Sequence, residues 1–366
     1  MKVSTWLASC RQSAWKRRPQ HKNARAFFLE PLEERRLLAN FHVVTSGDPG
    51  LGFCTPAACT LRDAVEAANL LPGADEITFD GRFFDPNPHD ESYSITLNSQ
   101  LEVTDSLTIN GFAGAGLSIS GNDATRLFLF EGSGEKVYEL NGVTLARGGN
   151  VTAGGAVFMP EAGAKSLSIR NAVLRHNTST AIGGAVSLTY GGTTEINNVS
   201  LINNHSEDGG AIYANNAPIH LTNTTVSGNT STSFGSAVTQ IVFSAFSPTT
   251  VVSTIRNSTF VDNAGGSVAI DNTQQGPGAS ATFEIRNSIF ANAGIGEIVG
   301  NGTVTSLGNN ISDDDSITLS GTGDQSNTDP QLGPLAHNGS NLLTHAPRFG
   351  SPAINAGADI PEITSD

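Results

Sequence analysis

The sequence predicts an all-β solenoid, and three observations carry that prediction. The first is a loose repeat running from about Leu140 to Asn292. One copy reads Ile169-Arg170-Asn171-Ala172-Val173-Leu174, followed by Asn177 and Gly183-Gly184-Ala185-Val186. The next reads Ile196-Asn197-Asn198-Val199-Ser200-Leu201, followed by Asn204 and Gly209-Gly210-Ala211-Ile212. Weaker copies centre on Asn223 (with Asn229), Asn257 (with Asn263) and Asn287, and an earlier one is Leu140-Asn141-Gly142-Val143-Thr144-Leu145. Positions 142, 171, 198, 223, 257 and 287 are 29, 27, 25, 34 and 30 residues apart. A unit that short cannot hold a core alone, whereas stacked units bury a continuous one. The second observation is composition: 40 glycines in 366 residues with few aromatics, the profile of a turn-rich β protein. The third is short alternating apolar pieces separated by Gly and Asn, which supply corners with positive φ.

Residues 1–40 read as a basic targeting region outside the fold. They carry 9 Lys and Arg against 3 Asp and Glu, whereas residues 41–366 carry 11 against 31, a net charge of −20. Such a body repels nucleic acid and anionic membrane surfaces, and no apolar run approaches the ~18 residues of a membrane-spanning helix. Residues 41–75 read as an N-terminal cap. Phe41 to Val44 forms a first strand. In Thr60-Leu61-Arg62-Asp63, Thr60 and Asp63 have capping-box spacing, and Leu61, Ala64, Val65 and Ala68 share one helical face up to the Pro72-Gly73 stop. That helix covers the exposed core of the first coil. Residues 76–300 read as coils, with early strands at 76–79, 94–97, 106–109, 117–120 and 126–130. Residues 301–366 read as the last coils and an irregular cap, since four prolines between positions 330 and 352 argue against inner strands.

Three blocks carry a resemblance. Cys59-Thr60-Leu61-Arg62-Asp63-Ala64-Val65 with Asn69 resembles the opening of bacterial right-handed parallel β-helix proteins. The Gly-Gly-Ala boxes, with Phe260-Val261-Asp262-Asn263, resemble polymorphic outer-membrane protein repeats. The ending, from Asp329-Pro330-Gln331-Leu332-Gly333-Pro334-Leu335 to Gly350-Ser351-Pro352-Ala353-Ile354-Asn355-Ala356-Gly357, is similar to the choice-of-anchor Q domain. Leu29-Glu30-Pro31-Leu32 through Leu38 resembles the LEPR-XLL type of N-terminal region. Together these imply a right-handed parallel β-helix of the pectin-lyase-like kind on an exported protein, secreted or at the bacterial cell surface. The relatives usually continue into an anchor, so the end at Asp366 suggests release or a fragment of a larger surface protein.

Candidate residues are few. Asn171, Asn198, Asn223, Asn257 and Asn287 stack as a structural column if the copies are in register, with alternation placing Ile169 and Asn171 on one face. Arg170, Arg256 and Arg286 stand one place earlier and point outward. Arg256 and Arg286 on neighbouring coils repel one another unless an acid such as Glu284 or Asp262, or a bound anion, lies between them. The sharper reading of the three is a weak strip for acidic polysaccharide. Cys54 and Cys59 close a small disulfide loop in an oxidising compartment and stay an inert thiol pair in a reducing one. Asp313-Asp314-Asp315 is a solvated turn or a Ca²⁺ ligand set, but it lacks the spaced ligands of a dedicated loop. His337 and His345 belong to the cap. No paired carboxylates, nucleophile box or metal-binding His pair stands out, and no catalytic residue or cofactor is assigned. The expectation is an exported protein with a non-catalytic adhesive or structural role, contacting polysaccharide or another surface protein. A polysaccharide lyase or glycoside hydrolase on the same scaffold is the alternative.

Overall fold

A computed structural model describes residues 38–82, 84, 94–112, 116–160, 163–245, 249–292, 296–340 and 342–360. The basic region before residue 38, including the LEPR-XLL-like stretch up to Leu37, lies outside them. The chain divides into Met1–Arg35 and a body from Arg36 onward, and the body is a parallel β-solenoid.

Each full coil contributes to three parallel sheets. The first begins with Asn40–Val43, Ala74–Phe79, Ser106–Asn110 and Val137–Asn141. It continues through the first halves of Gly163–Arg175, Gly191–Ile202 and Ile219–Ser227 to Thr249–Arg256, Ala279–Arg286 and Thr303–Ser306. The second runs through Ser94–Thr96, Leu117–Ser120 and Val143–Ala146, then the second halves of the same long strands, then Thr259–Val261, Ile289–Ala291 and Ile311–Ser312. The third has eight strands, from Leu101–Val103 to Gly296–Val299. Coils therefore sit ~4.8 Å apart, each bonded to its neighbours by main-chain ladders.

Alternation along the strands decides what lies inside. Ile109, Leu140, Ile169, Ile196, Leu221, Ile255 and Ile285 follow one another in register and are all buried. Phe260 and Phe290 stack at 5.3 Å between ring centres. One apolar cluster runs from Val43 to Ile317, so no coil has a core of its own. At the N-terminal end the helix Leu61–Leu70 contributes Leu61, Ala64 and Val65 to that cluster. The Asp63 N–H donates to the Thr60 hydroxyl at 3.0 Å, and the Thr60 N–H donates to the Asp63 carboxylate at 3.2 Å. The Cys54–Cys59 disulfide closes the loop just before the helix.

The corners hold the coils in register. At the first corner Gly142, Asn171, Asn198, Asn223, Asn257 and Asn287 all have φ between 48° and 67°. This corrects the alternation argument for Asn171: the left-handed residue ends the pleat, so Ile169 points in while Asn171 is exposed. The amides still bond one another. Asn171 donates to Asn141 at 2.9 Å, Asn198 to Asn171 at 2.7 Å and Asn287 to Asn257 at 3.0 Å.

A second, fully buried column lies at the next corner, just after the left-handed residues His176, Asn203, Gly228 and Asp262. Here the main-chain N–H and Nδ2 of Asn177 both donate to Asn204 Oδ1 at 3.0 Å. Asn204 does the same to Asn229, Asn229 to Asn263 and Asn263 to Asn292. Asn177, Asn204, Asn229 and Asn263 also donate Nδ2 to a main-chain oxygen of a preceding coil, that of Leu145 for Asn177. The amides of Asn204, Asn229 and Asn263 thus use both donors and both acceptor sites. The Gly-Gly boxes follow. Gly183 has φ +63°, and a Cβ on Gly184 would strike the main chain of the next coil at Gly210.

The C-terminal end of the core is covered by the segment carrying Ile317 and Leu319. The proline-rich ending has more order than an irregular cap. Leu332–His337 and Leu343–Pro347 form an antiparallel hairpin laid on the outside of the second sheet. Its Leu335, Leu342 and Leu343 pack on Val173 and Ile202, and Ser200 donates to the Leu343 carbonyl at 2.9 Å.

The two columns predict different costs. Asn229→Ala leaves the amides of Asn204 and Asn263 short of partners in a dry corner, for a loss of about 3 kcal/mol. Asn171→Gly keeps the positive φ and loses only exposed bonds, for less than about 1 kcal/mol. Urea denaturation of the two variants checks the contrast.

Candidate functional site

The predicted arginines do not form one strip. Arg256 and Arg286 are register partners, but Asn197 and Thr222 stand between Arg170 and Arg256. Arg170 lies 3.8 Å from Glu139, and Arg286 donates to the Asp359 carbonyl at 3.4 Å while its Nε is buried without a partner. Among the described residues neither Glu284 nor Asp262 forms an ion pair with Arg256 or Arg286.

A groove of ≈ 380 Å³ lies instead on the outside of the second sheet, at its early coils. Its floor is a grid of hydroxyls, because outward positions on these short strands hold Ser and Thr. Ser94 pairs with Ser118 and Thr96 with Ser120 in register. Its wall is the second corner, where Arg147 and His176 have φ of 52° and Arg175 ends the strand. Left-handed corners turn these side chains toward the groove rim. The Arg147 Nε donates to Asp123 at 3.0 Å, an exposed pair that leaves the guanidinium able to exchange partners. Two guanidiniums and an imidazole beside stacked hydroxyls suit an anionic, hydroxyl-rich ligand. In the sequence these residues are spread from position 94 to 176, and no local spacing announces them.

A pair of carboxyls, buried Glu297 and half-buried Asp313, also absent from the sequence reading, lies at the end of the asparagine ladder. Glu297 takes the place of the next asparagine: the Asn292 N–H donates to its Oε1 at 2.8 Å and Asn292 Nδ2 to its Oε2 at 2.5 Å. Asp313 abuts it and Asp314 is close by, their oxygens within 4.8 Å of one another. Burial pushes the Glu297 carboxyl up to about 8, helped by its hydrogen bond to Asp313. Burial also raises Asp313, against the bond from Glu297 and with the help of Asp314. At neutral pH Glu297 is therefore the protonated donor and Asp313 the acceptor. The solvated-turn reading holds for exposed Asp315 but not for Asp313 and Asp314. The three acids could ligate a cation, but Glu297 is wholly buried and both its oxygens are engaged. The pair is also closer than the ~5–5.5 Å of a retaining glycosidase and offers no access to a sugar. It terminates the ladder.

His345 pins the hairpin, with Nδ1 2.8 Å from the Gly333 carbonyl and Nε2 2.9 Å from Ser227 Oγ. No helix of the described residues is long and apolar enough to cross a membrane. Comparison with family models, curated proteins and solved structures finds no match.

The acid pair sets a pH dependence. Glu297 titrates near 4.5 when exposed and near 8 in the fold, so between those values the folded state keeps a proton that the unfolded chain has released. Its contribution to stability is full below about pH 4.5, falls as pH rises, and is lost above about pH 8. Melting temperatures should therefore decline from about pH 5 to about pH 8, and Glu297→Gln should flatten that decline.

Proposed function

We propose that this chain is an exported, non-catalytic β-solenoid that adheres to acidic polysaccharide. The observation that carries the reading is the groove, in which Arg147, Arg175 and His176 flank a grid of Ser and Thr hydroxyls on a body of strong negative charge. Local positive charge on a negative surface selects a ligand by position, since the rest of the surface repels it. Arg147 and His176 are exposed and Arg175 is half-buried, and a rigid repeated surface suits many weak contacts along a polymer. The leader's resemblance to LEPR-XLL regions supports export, and a disulfide-closed loop suits an oxidising compartment.

Polygalacturonate is the probe of choice, titrated into the full chain at low and high salt. Saturable binding that weakens with salt is expected. Arg147→Asn, which tolerates the left-handed corner, combined with Arg175→Gln should weaken it about tenfold, as expected for the loss of two weak charge contacts. Binding unchanged in the double variant overturns the groove. New oligosaccharides in the mixture, with or without Ca²⁺, would make the protein a lyase or hydrolase.

A further inference from the structure

The hairpin is followed by a tail that crosses the first corner, and tail and coils together make a cleft that neither makes alone. Asn287 bonds the tail reciprocally: its Nδ2 donates to the Ala358 carbonyl at 2.6 Å and its Oδ1 accepts the Ala358 N–H at 3.2 Å. Asn309 donates to the Ala356 carbonyl at 2.7 Å. Between tail and coils lies a cavity of ≈ 440 Å³. This is within the size range of small-ligand pockets.

Four polar groups lining the cavity have no hydrogen-bond partner among the described residues. Asn257 uses its Oδ1 to accept from Asn287, which leaves its Nδ2 free. Asn309 spends its Nδ2 on the tail, which leaves its Oδ1 free. The Thr259 hydroxyl and the Asn355 amide make no hydrogen bond within the described residues. On the coil side the apolar lining is Ile289 and Ile311, register partners on adjacent coils that form a strip one ~4.8 Å step long, and the tail adds Ala353, Ala356, Ala358 and Ile360. The charged side chain in the lining is that of Asp359, which is exposed.

We infer that this cleft is a binding site for a neutral saccharide. A free amide donor, a free amide acceptor and a hydroxyl set around a short aliphatic strip match the two faces of a sugar ring, hydroxyls at the edge and C–H groups on the face. Asp359 offers an anionic sugar nothing in the lining itself, and Arg256 and Arg286 stand one residue before Asn257 and Asn287, so the neutral and acidic probes are compared directly. The tail is already held by Asn287 and Asn309, so the site is formed before ligand arrives and binding orders little of the protein. The inference shares with the proposed function only the chemical class of ligand, and its residues are separate.

Cellohexaose, xylohexaose and tetra-N-acetylchitotetraose are titrated calorimetrically into the full chain, with polygalacturonate in a parallel series. The expected result is saturable binding of at least one neutral oligosaccharide. Asn257→Asp keeps the acceptor oxygen and a residue type that tolerates positive φ while removing the free donor; Thr259→Val removes the hydroxyl without changing shape. The pair should weaken neutral binding about tenfold, as expected for two lost hydrogen bonds, and leave polygalacturonate binding and the melting temperature unchanged. Absence of binding by all three neutral probes overturns the inference, and so does binding that the double variant leaves intact. The polygalacturonate series reads out the groove separately, so failure of one site is not mistaken for failure of the other.

Discussion

The structure depends on one buried line of amides. A coil that turns inward at each corner directs main-chain N–H groups into a region water cannot reach, and each must find an acceptor. The chain solves this at the second corner with a side chain that has two donors and two acceptor sites and repeats at the coil spacing. Asn177, Asn204, Asn229, Asn263 and Asn292 are all at most 1% exposed; the first four each hand two N–H groups to the asparagine one coil on, and Asn292 hands its two to Glu297, five residues later. The arrangement is directional. Every amide points the same way, so each bond polarises the next.

A directional line needs an end that accepts without donating back into it. At the start, the Gly148 N–H donates to Asn177 and requires no side chain. At the finish, a sixth asparagine would leave its own donors unspent where the coils stop. Glu297 accepts both N–H groups of Asn292, one on each oxygen, and carries no donor directed at the ladder. A bare carboxylate there would be a lone buried charge, which is unfavourable unless shared or neutralised. Asp313 resolves this by accepting a proton held on Glu297. The acid cluster is thus explained by the ladder, without recourse to a ligand.

The solenoid was legible because its signal is one-dimensional. Ile169, Ile196, Leu221, Ile255 and Ile285 recur at the coil length, and their burial follows from alternation alone. The helix Leu61–Leu70 was legible because its cap and its stop are local. The strand Leu101–Val103 was not, since three residues are too short for a period to show. The two asparagine columns were visible as letters but not as roles. Asn171 and Asn177 both recur, and only the left-handed turns at Asn171 and His176 decide that the first faces solvent and the second faces inward. The groove and the acid pair were illegible for a common reason. Ser94, Ser118, Arg147 and His176, like Glu297 and Asp313, become neighbours only through the vertical stacking of coils, and no motif spans that distance in the chain.

That separation bears on how such a scaffold acquires function. Inward positions are constrained by the core and the ladder, whereas outward positions on the same strands answer only to solubility and to whatever they touch. One lateral sheet here has been put to three uses along its length. Near the N-terminal end it is open, with hydroxyls and cations. In the middle its outward residues turn apolar, at Val173 and Ile202, and seat the hairpin. Beyond that, the tail crosses the asparagine corner and walls a cleft lined mostly by amides and aliphatic side chains. The two pockets thus differ in lining, hydroxyls with cationic side chains in one and amides with aliphatic side chains in the other. Were both proposed sites to bind, a polymer that presents both kinds of sugar would be gripped at two points, and the second contact would form at a local concentration set by the distance between them.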